Sequence, residues 1–282
     1  FSVMNVRKVN YKDQNAPHEF TRSLRQTGFS VLTDHPVDMN LIETVYSEWA
    51  DFFASDNKNK YPYDPVRQDG FFPFKTENAK GQSLKDLKEF FHVYSWGRYP
   101  EELSNKTLDL YAQLLELTGT LLGWIQVETP RDVSSLFSMP LPDMVTNSKT
   151  NLLRIIHYPP LDGKEEDGAV RGSAHEDINL ITLLVAGTQP GLQVKDTNGN
   201  WHDISCDPGC LAINAGDMLQ EASHGYFPST THQVINPGNQ IDNKSRFSMP
   251  LFLHPRDEVA LSKKYTAKEY LDERLREIGL KK

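Results

Sequence analysis

With 282 residues and a formal charge of −8, the chain has room for one large domain or two small ones. It lacks the basic excess that a nucleic-acid or anionic-membrane surface would need. Its 38% hydrophobic and 24% charged residues are globular proportions, and no run nears the roughly 18 apolar residues that span a bilayer.

The chain begins at Phe1, as one trimmed of an initiator or leader would, and carries no basic-then-apolar signal pattern. Cys206 and Cys210 form a C-x3-C pair without a second pair nearby, which reads as two reduced thiols rather than a metal site. A cytoplasmic setting and a small-molecule partner are expected; oligomeric state is open.

The region 1–148 reads as a mixed helical support. Val3 to Val9 alternates crudely as an opening strand. Pro17 to Gln26 is a helix with Pro near its start and Gly28 as its stop. Phe29 to Leu32 is a short strand. A helix over Met39 to Ala54 lines up Leu41, Val45, Trp49 and Phe52 on one core-facing side. Pro62 to Gly81 has no period and reads as loop, with Tyr63, Phe71, Phe72 and Phe74 either touching substrate or packing the loop down. Leu84 to Phe91 is a strand or short helix, and the longest helix runs from Glu102 to Ile125 with a stripe of leucines.

From Leu152 the pattern changes to short strands: Leu152 to Tyr158, Ile178 to Ala186, Leu192 to Val194, Trp201 to Ile204, Leu211 to Asn214, Thr231 to Ile235 and Arg246 to Leu253. Turn signals such as Gln189-Pro190-Gly191 and Asp207-Pro208-Gly209 separate them. The fold class expected is mainly β with flanking helices, around a double-stranded β-helix (jelly-roll, cupin-like) core over 149–255. Residues 256–282 close the chain, with a capping box at Thr266 to Glu269 opening a helix to Ile278.

The stretch around His175-Glu176-Asp177 carries the chemistry. In extended chain His175 and Asp177 share a face while Glu176 points away. Nine histidines and 38 acidic residues make a chance His-x-Asp common, so the bland reading is a surface pair on a strand edge. A third candidate lies downstream, His232 in a β-branched run, with His224 in a turn-like context as its rival. Two histidines and one carboxylate on one face form the set used by non-heme Fe(II) oxygenases. Further on, Arg246 and Ser248 share a strand face and offer a guanidinium fork and a hydroxyl, which suit a carboxylate held end-on.

His-x-Asp, a distant His and Arg-x-Ser before an apolar strand resemble the Fe(II)/2-oxoglutarate-dependent dioxygenases of the isopenicillin N synthase-like branch. The likeness covers nearly the whole chain. Gly28 to His35 is similar to its "GFF-hydrophobic-HG" segment, with Pro36 in place of Gly. Asp51-Phe52-Phe53 with Lys58 and Lys60 is similar to its "FF…K" helix end, and Asp86 to Phe91 to its "D-x-KE-x-F" segment. Leu153 to Pro160 resembles its "LR…YPP" strand. Gly191 to Val194 and Gly216 to Gln220 resemble "GLQV" and "GDMLQ".

The resemblance implies His175, Asp177 and His232 as iron ligands, with Arg246 and Ser248 on the distal carboxylate of 2-oxoglutarate and Tyr158 hydrogen-bonded to that cosubstrate. Ile156 stands where many members have Asn. The activity implied is hydroxylation, desaturation or cyclisation of a small molecule by Fe(II) and O2, with 2-oxoglutarate split to succinate and CO2. The alternative inside the fold is an Fe(II)/O2 oxidase of isopenicillin N synthase type that does not use 2-oxoglutarate. A non-catalytic module would show degenerate ligands, and a zinc hydrolase gives Arg246 and Ser248 no role.

Overall fold

In the computed structural model, which describes residues 4–205 and 207–279, two β-sheets face each other and helices cover the outer side of the larger one. The N-terminal elements are β1 (Lys8–Asn10), α1 (Ala16–Thr27), β2 (Phe29–Thr33), α2 (Met39–Ala54), a 3-10 turn (Asp56–Lys60), β3 (Gly70–Phe72), β4 (Glu89–Val93), α3 (Lys106–Glu128), α4 (Arg131–Ser134) and α5 (Leu141–Val145). The C-terminal half supplies β5 (Leu152–Tyr158), β6 (Gly172–His175), β7 (Ile181–Val185), β8 (Leu192–Lys195), β9 (Trp201–Asp203), β10 (Leu211–Ala215), α6 (Asp217–Ala222), β11 (His232–Val234), β12 (Arg246–Leu253) and α7 (Ala267–Glu277).

The larger sheet runs β1-β2-β10-β7-β12-β5-β4-β3 and the smaller β6-β11-β8-β9. Alternation along the strands divides the apolar residues between two environments. Leu153, Ile155, Ile181, Leu183, Met249 and Leu251 face the helices and pack with Phe20, Trp49, Leu114 and Leu121. The opposite face of the same strands looks into the space between the sheets. There Phe29, Val31 and Ala212 meet Leu192 and Val194 of the smaller sheet, and Phe90, Ile156 and Tyr158 meet Val234. This is the jelly-roll core expected, and the strands of region 1–148 extend its larger sheet at both edges.

Helix ends follow local chemistry. Asp38 caps α2 through Asn40 N–H and Leu41 N–H, and Thr266 caps α7 by accepting from Glu269 N–H. Gly28 ends α1 at φ 77°. A Cβ there would also lie 2.2 Å from Thr230 Oγ1, so the site's second histidine strand closes against this turn.

Several expectations shift. Residues 62–81 are not all loop: Gly70–Phe72 forms β3 against β4. Of Leu84 to Phe91, only Glu89 onward is strand, and no helix forms there. The opening strand lies at Lys8–Asn10, and residues 1–3 fall outside the described ones. The longest helix begins at Lys106, not Glu102. The strand expected from Ile178 begins at Ile181, because residues 176–180 form the irregular corner that carries Asp177. Helix α6, in the "GDMLQ" segment, was unexpected. Cys210 is a buried free thiol; Cys206 lies outside the described residues.

Candidate metal and cosubstrate site

His175 is the last residue of β6 and His232 the first of β11, and the two sit directly opposite each other in the antiparallel pair. Asp177 lies on the corner just beyond β6, so strand alternation is not what aims it. Its Oδ2 accepts from Thr182 Oγ1 at 2.7 Å and from Asn214 Nδ2 at 2.8 Å. Thr182 and Asn214 are themselves cross-strand partners on β7 and β10. The larger sheet thereby holds a carboxylate that faces the histidines of the smaller one.

The free atoms converge. Asp177 Oδ1 is 3.5 Å from His175 Nε2 and 3.3 Å from His232 Nε2. One ligand atom from each of the three residues lies within 4.8 Å of the others. Each histidine has its Nδ1 on a carbonyl, Ser173 O at 2.8 Å and Thr230 O at 3.0 Å. A carbonyl can only accept, so the proton sits on Nδ1 and Nε2 keeps its lone pair for a metal. Burial pushes the Asp177 carboxyl up; when the imidazoles are protonated at Nε2 instead of holding a metal there, the charge of His232 and bonds from His175 and His232 outweigh burial and hold the carboxyl well below the usual range. His224 is exposed, at φ 50°, and takes no part in this cluster.

The "GDMLQ" segment braces the corner from behind. Gly216 N–H donates to Leu180 O, Asp217 N–H to Asp177 O at 2.7 Å and Met218 N–H to Asn179 O. Gln220 Oε1 accepts from Ser229 N–H, steadying the approach to His232. A Cβ at position 216 would fall 2.0 Å from Asn179 O, so only glycine allows this approach.

Arg246, Ser248 and Tyr158 also share the inner face, because Arg246 pairs with Tyr158 and Ser248 with Ile156. Arg246 is 3% exposed. Its Nε donates to Gln189 O, while Nη1 is buried with no hydrogen-bond partner among the described residues. The guanidinium lies over the Tyr158 ring at 5.2 Å, and a cavity beside it is lined by Leu184, Ala186, Ile204 and Ala212. An unpartnered buried guanidinium nitrogen next to open space fits an acid ligand. Ile156, at the position where Asn is common, packs instead with Phe72, Phe90 and Val234.

Of the loop aromatics, Phe72 faces inward and stacks on Phe90 and Tyr63, Phe71 joins the outer core, and Phe74 is exposed. Thr182 and Asn214 escaped the sequence reading. Asn214 lies 37 residues from Asp177 and only sheet pairing brings it there, whereas Thr182 is just five residues on, at the first turn of the chain into β7. Their signal was a polar residue interrupting two otherwise apolar strands.

A jelly roll with two histidines and a carboxylate on one face defines a non-heme metal oxygenase class. Comparison with known proteins narrows it. Residues 149–255 match the model of the 2OG-Fe(II) oxygenase superfamily, and residues 5–113 match that of the non-haem dioxygenase N-terminal region named for morphine synthesis. A crystal structure of a putative oxygenase from Shewanella oneidensis is 50% identical, with TM-score 0.88, covering 98% of this chain and 99% of that one. A putative 2OG-Fe(II) oxygenase family protein from Caulobacter crescentus is 31% identical with TM-score 0.80, covering 97% and 99%. A full-length Neurospora crassa protein, solved in complex with alpha-KG, shares the fold at 22% identity and TM-score 0.80 over 95% of each chain.

The chain belongs to the 2OG-Fe(II) oxygenase superfamily. It is an Fe(II)- and 2-oxoglutarate-dependent dioxygenase.

Proposed function

We propose that His175, Asp177 and His232 hold the Fe(II) of this dioxygenase, with Arg246 and Ser248 pairing with the distal carboxylate of 2-oxoglutarate and Tyr158 donating to the cosubstrate. The observation that carries this reading is the convergence of three free ligand atoms on the same inner face as the orphaned Arg246 nitrogen. Fe(II) with 2-oxoglutarate and O2 supplies the oxidising power, which no side chain here has. The protein's own residues do the positioning. Ser173 O and Thr230 O keep both imidazoles in the tautomer that presents Nε2. Thr182 and Asn214 turn Asp177 Oδ1 towards them. Arg246, with Nη1 free of protein partners among the described residues, would hold the distal carboxylate of the cosubstrate.

The oxidase that dispenses with 2-oxoglutarate is not favoured, since the relatives are named for 2-oxoglutarate or hold it. Residues 149–255 form the catalytic region on this reading, residues 1–148 its support and residues 256–282 its closing helix. A small-molecule substrate and a cytoplasmic setting go with it. Among the described residues no helix is long and apolar enough to cross a membrane.

Anaerobic titration of the protein with Fe(II) in the presence of 2-oxoglutarate tests the reading. A weak visible charge-transfer band is expected and should vanish in Asp177→Ala. Iron binding without a band would revive the oxidase, and no iron binding would overturn the site.

A further inference from the structure

The inner face carries a second polar group that neither iron nor cosubstrate uses. Along β5, Tyr158, Ile156 and Arg154 share that face, so Arg154 lies roughly 13 Å along the strand from the Arg246 end. Its guanidinium lies over the Phe90 ring at 4.4 Å and the Phe252 ring at 5.5 Å. Phe252 pairs directly with Thr182, the donor to Asp177. Arg154 is therefore linked through Phe252 and Thr182 to the Asp177 corner, at the end of the inner face away from Arg246.

The group is closely paired. Arg154 Nη1 and Nη2 grip Glu77 at 3.0 and 3.3 Å, and Nε donates to His92 Nε2 at 3.0 Å. His92 Nδ1 donates to Gln68 O at 2.7 Å, which leaves Nε2 to accept and makes the ring neutral. Burial and the neighbouring Arg154 both lower the His92 pKa, in agreement with that state. Lys88 bridges Glu77 at 3.2 Å and Asp86 at 3.3 Å. Asp86 in turn accepts from Ser173 N–H and Oγ–H, two residues before His175.

Two cations thus face two carboxylates around a neutral imidazole, and the cluster offers an incoming anion no net positive charge. It does offer hydrogen bonds. A guanidinium has five N–H groups, and these bonds engage three of them; a carboxylate has about four acceptor sites, and Glu77 uses three. A donor and an acceptor therefore stand side by side next to Phe252, with the Glu77 side chain 28% and the Arg154 side chain 15% exposed.

We propose that the Arg154–Glu77 pair is the substrate-recognition element of this oxygenase, and that it selects an uncharged planar molecule with adjacent C=O and N–H groups, a cyclic amide, imide or ureide, over a carboxylate of similar size. Arg154 donates to the carbonyl, Glu77 accepts from the N–H, and the half-buried Phe252 lies beside the ring, while Phe90, buried between Phe72 and the guanidinium, holds Arg154 in place. The proposal rests on the iron and cosubstrate assignment above.

The test is anaerobic calorimetry of the Fe(II)- and 2-oxoglutarate-loaded protein with three single-ring probes: 2-pyridone, uracil and benzoate. The wild type should bind at least one of the two neutral probes ten or more times more tightly than benzoate. Glu77→Gln removes the neutralising charge and should invert the order, with benzoate gaining tenfold or more. Arg154→Gln should weaken all three. The proposal fails if the wild type prefers benzoate or binds none of the probes, or if Glu77→Gln, still forming the chelate band, keeps the wild-type order. The band separates the two levels: its absence from the wild type counts against the iron and cosubstrate reading, whereas its presence with the wrong selectivity counts against this one alone.

Discussion

Single residues around Asp177 decide how well the site is organised. Its Oδ2 is occupied by Thr182 and Asn214, so Oδ1 alone is directed at the histidines. Thr182→Val keeps the shape and deletes one donor. Fe(II) affinity should fall about 10–100-fold, read by anaerobic titration, while the fold survives; unchanged affinity would mean that the corner is held by its backbone alone. Arg246 is a separate case because it is distant from the ligand atoms. Arg246→Ala removes a charge-assisted pair worth about 1.5–3 kcal/mol and should raise the 2-oxoglutarate requirement about ten- to hundredfold with iron binding intact. Normal 2-oxoglutarate affinity in that variant would show the cosubstrate anchor to be wrongly assigned.

At the level of elements, two turns hold the barrel's functional edge. The one before α6 needs glycine, since a Cβ at position 216 would meet Asn179 O. Gly216→Ala should lower stability by about 1–3 kcal/mol and weaken iron binding, because the shifted carbonyl belongs to the Asp177 corner; an unchanged melting temperature would contradict the clamp. The other turn leads into β3, where buried Asp69 bonds Arg98 Nε, Arg98 N–H and Arg67 Nη2. Burial opposes the Asp69 charge, but these bonds outweigh it and bring its pKa from 3.8 down to about 2. A depressed carboxylate contributes stability above its unfolded pKa and loses it as pH falls through the folded one. Asp69→Asn should therefore cost on the order of 2 kcal/mol at neutral pH, and urea titrations should show that deficit closing between pH 4 and pH 2.

Across the whole molecule, the metal site joins the two sheets. His175 and His232 belong to the smaller sheet, and Asp177 is tied to the larger through β7 and β10. A ligand bound there stabilises the folded state by about 2.7 kcal/mol at a hundredfold excess over its Kd, on the order of 5–10 °C in a chain of this size. Fe(II) with 2-oxoglutarate should raise the melting temperature by that amount and a chelator should reverse it. A similar rise in Asp177→Ala would show that the stabilisation comes from elsewhere.

How much of this was legible in the chain depends on the range of the interaction. Period-two alternation and regular turn signals marked β5 and β12 to the residue, and apolar spacing marked α2, because burial of one face is written locally. The His175–Asp177–His232 cluster and the Arg246–Ser248 pair, proposed here for iron and cosubstrate, were legible for the same reason, each lying on or beside a short motif. Strand β3 was not, since its three residues are strand only through pairing with β4, and the Asp177 corner reads locally as extended chain. The sequence by itself determined the layer architecture, the residue types proposed to bind iron and the chemistry class. Only the tertiary structure decided what surrounds them: Thr182 and Asn214 on Asp177, the unpartnered Arg246 nitrogen, and Glu77 against Arg154. Those contacts join residues up to 77 positions apart, and no local pattern encodes a pairing that two sheets must first close to make.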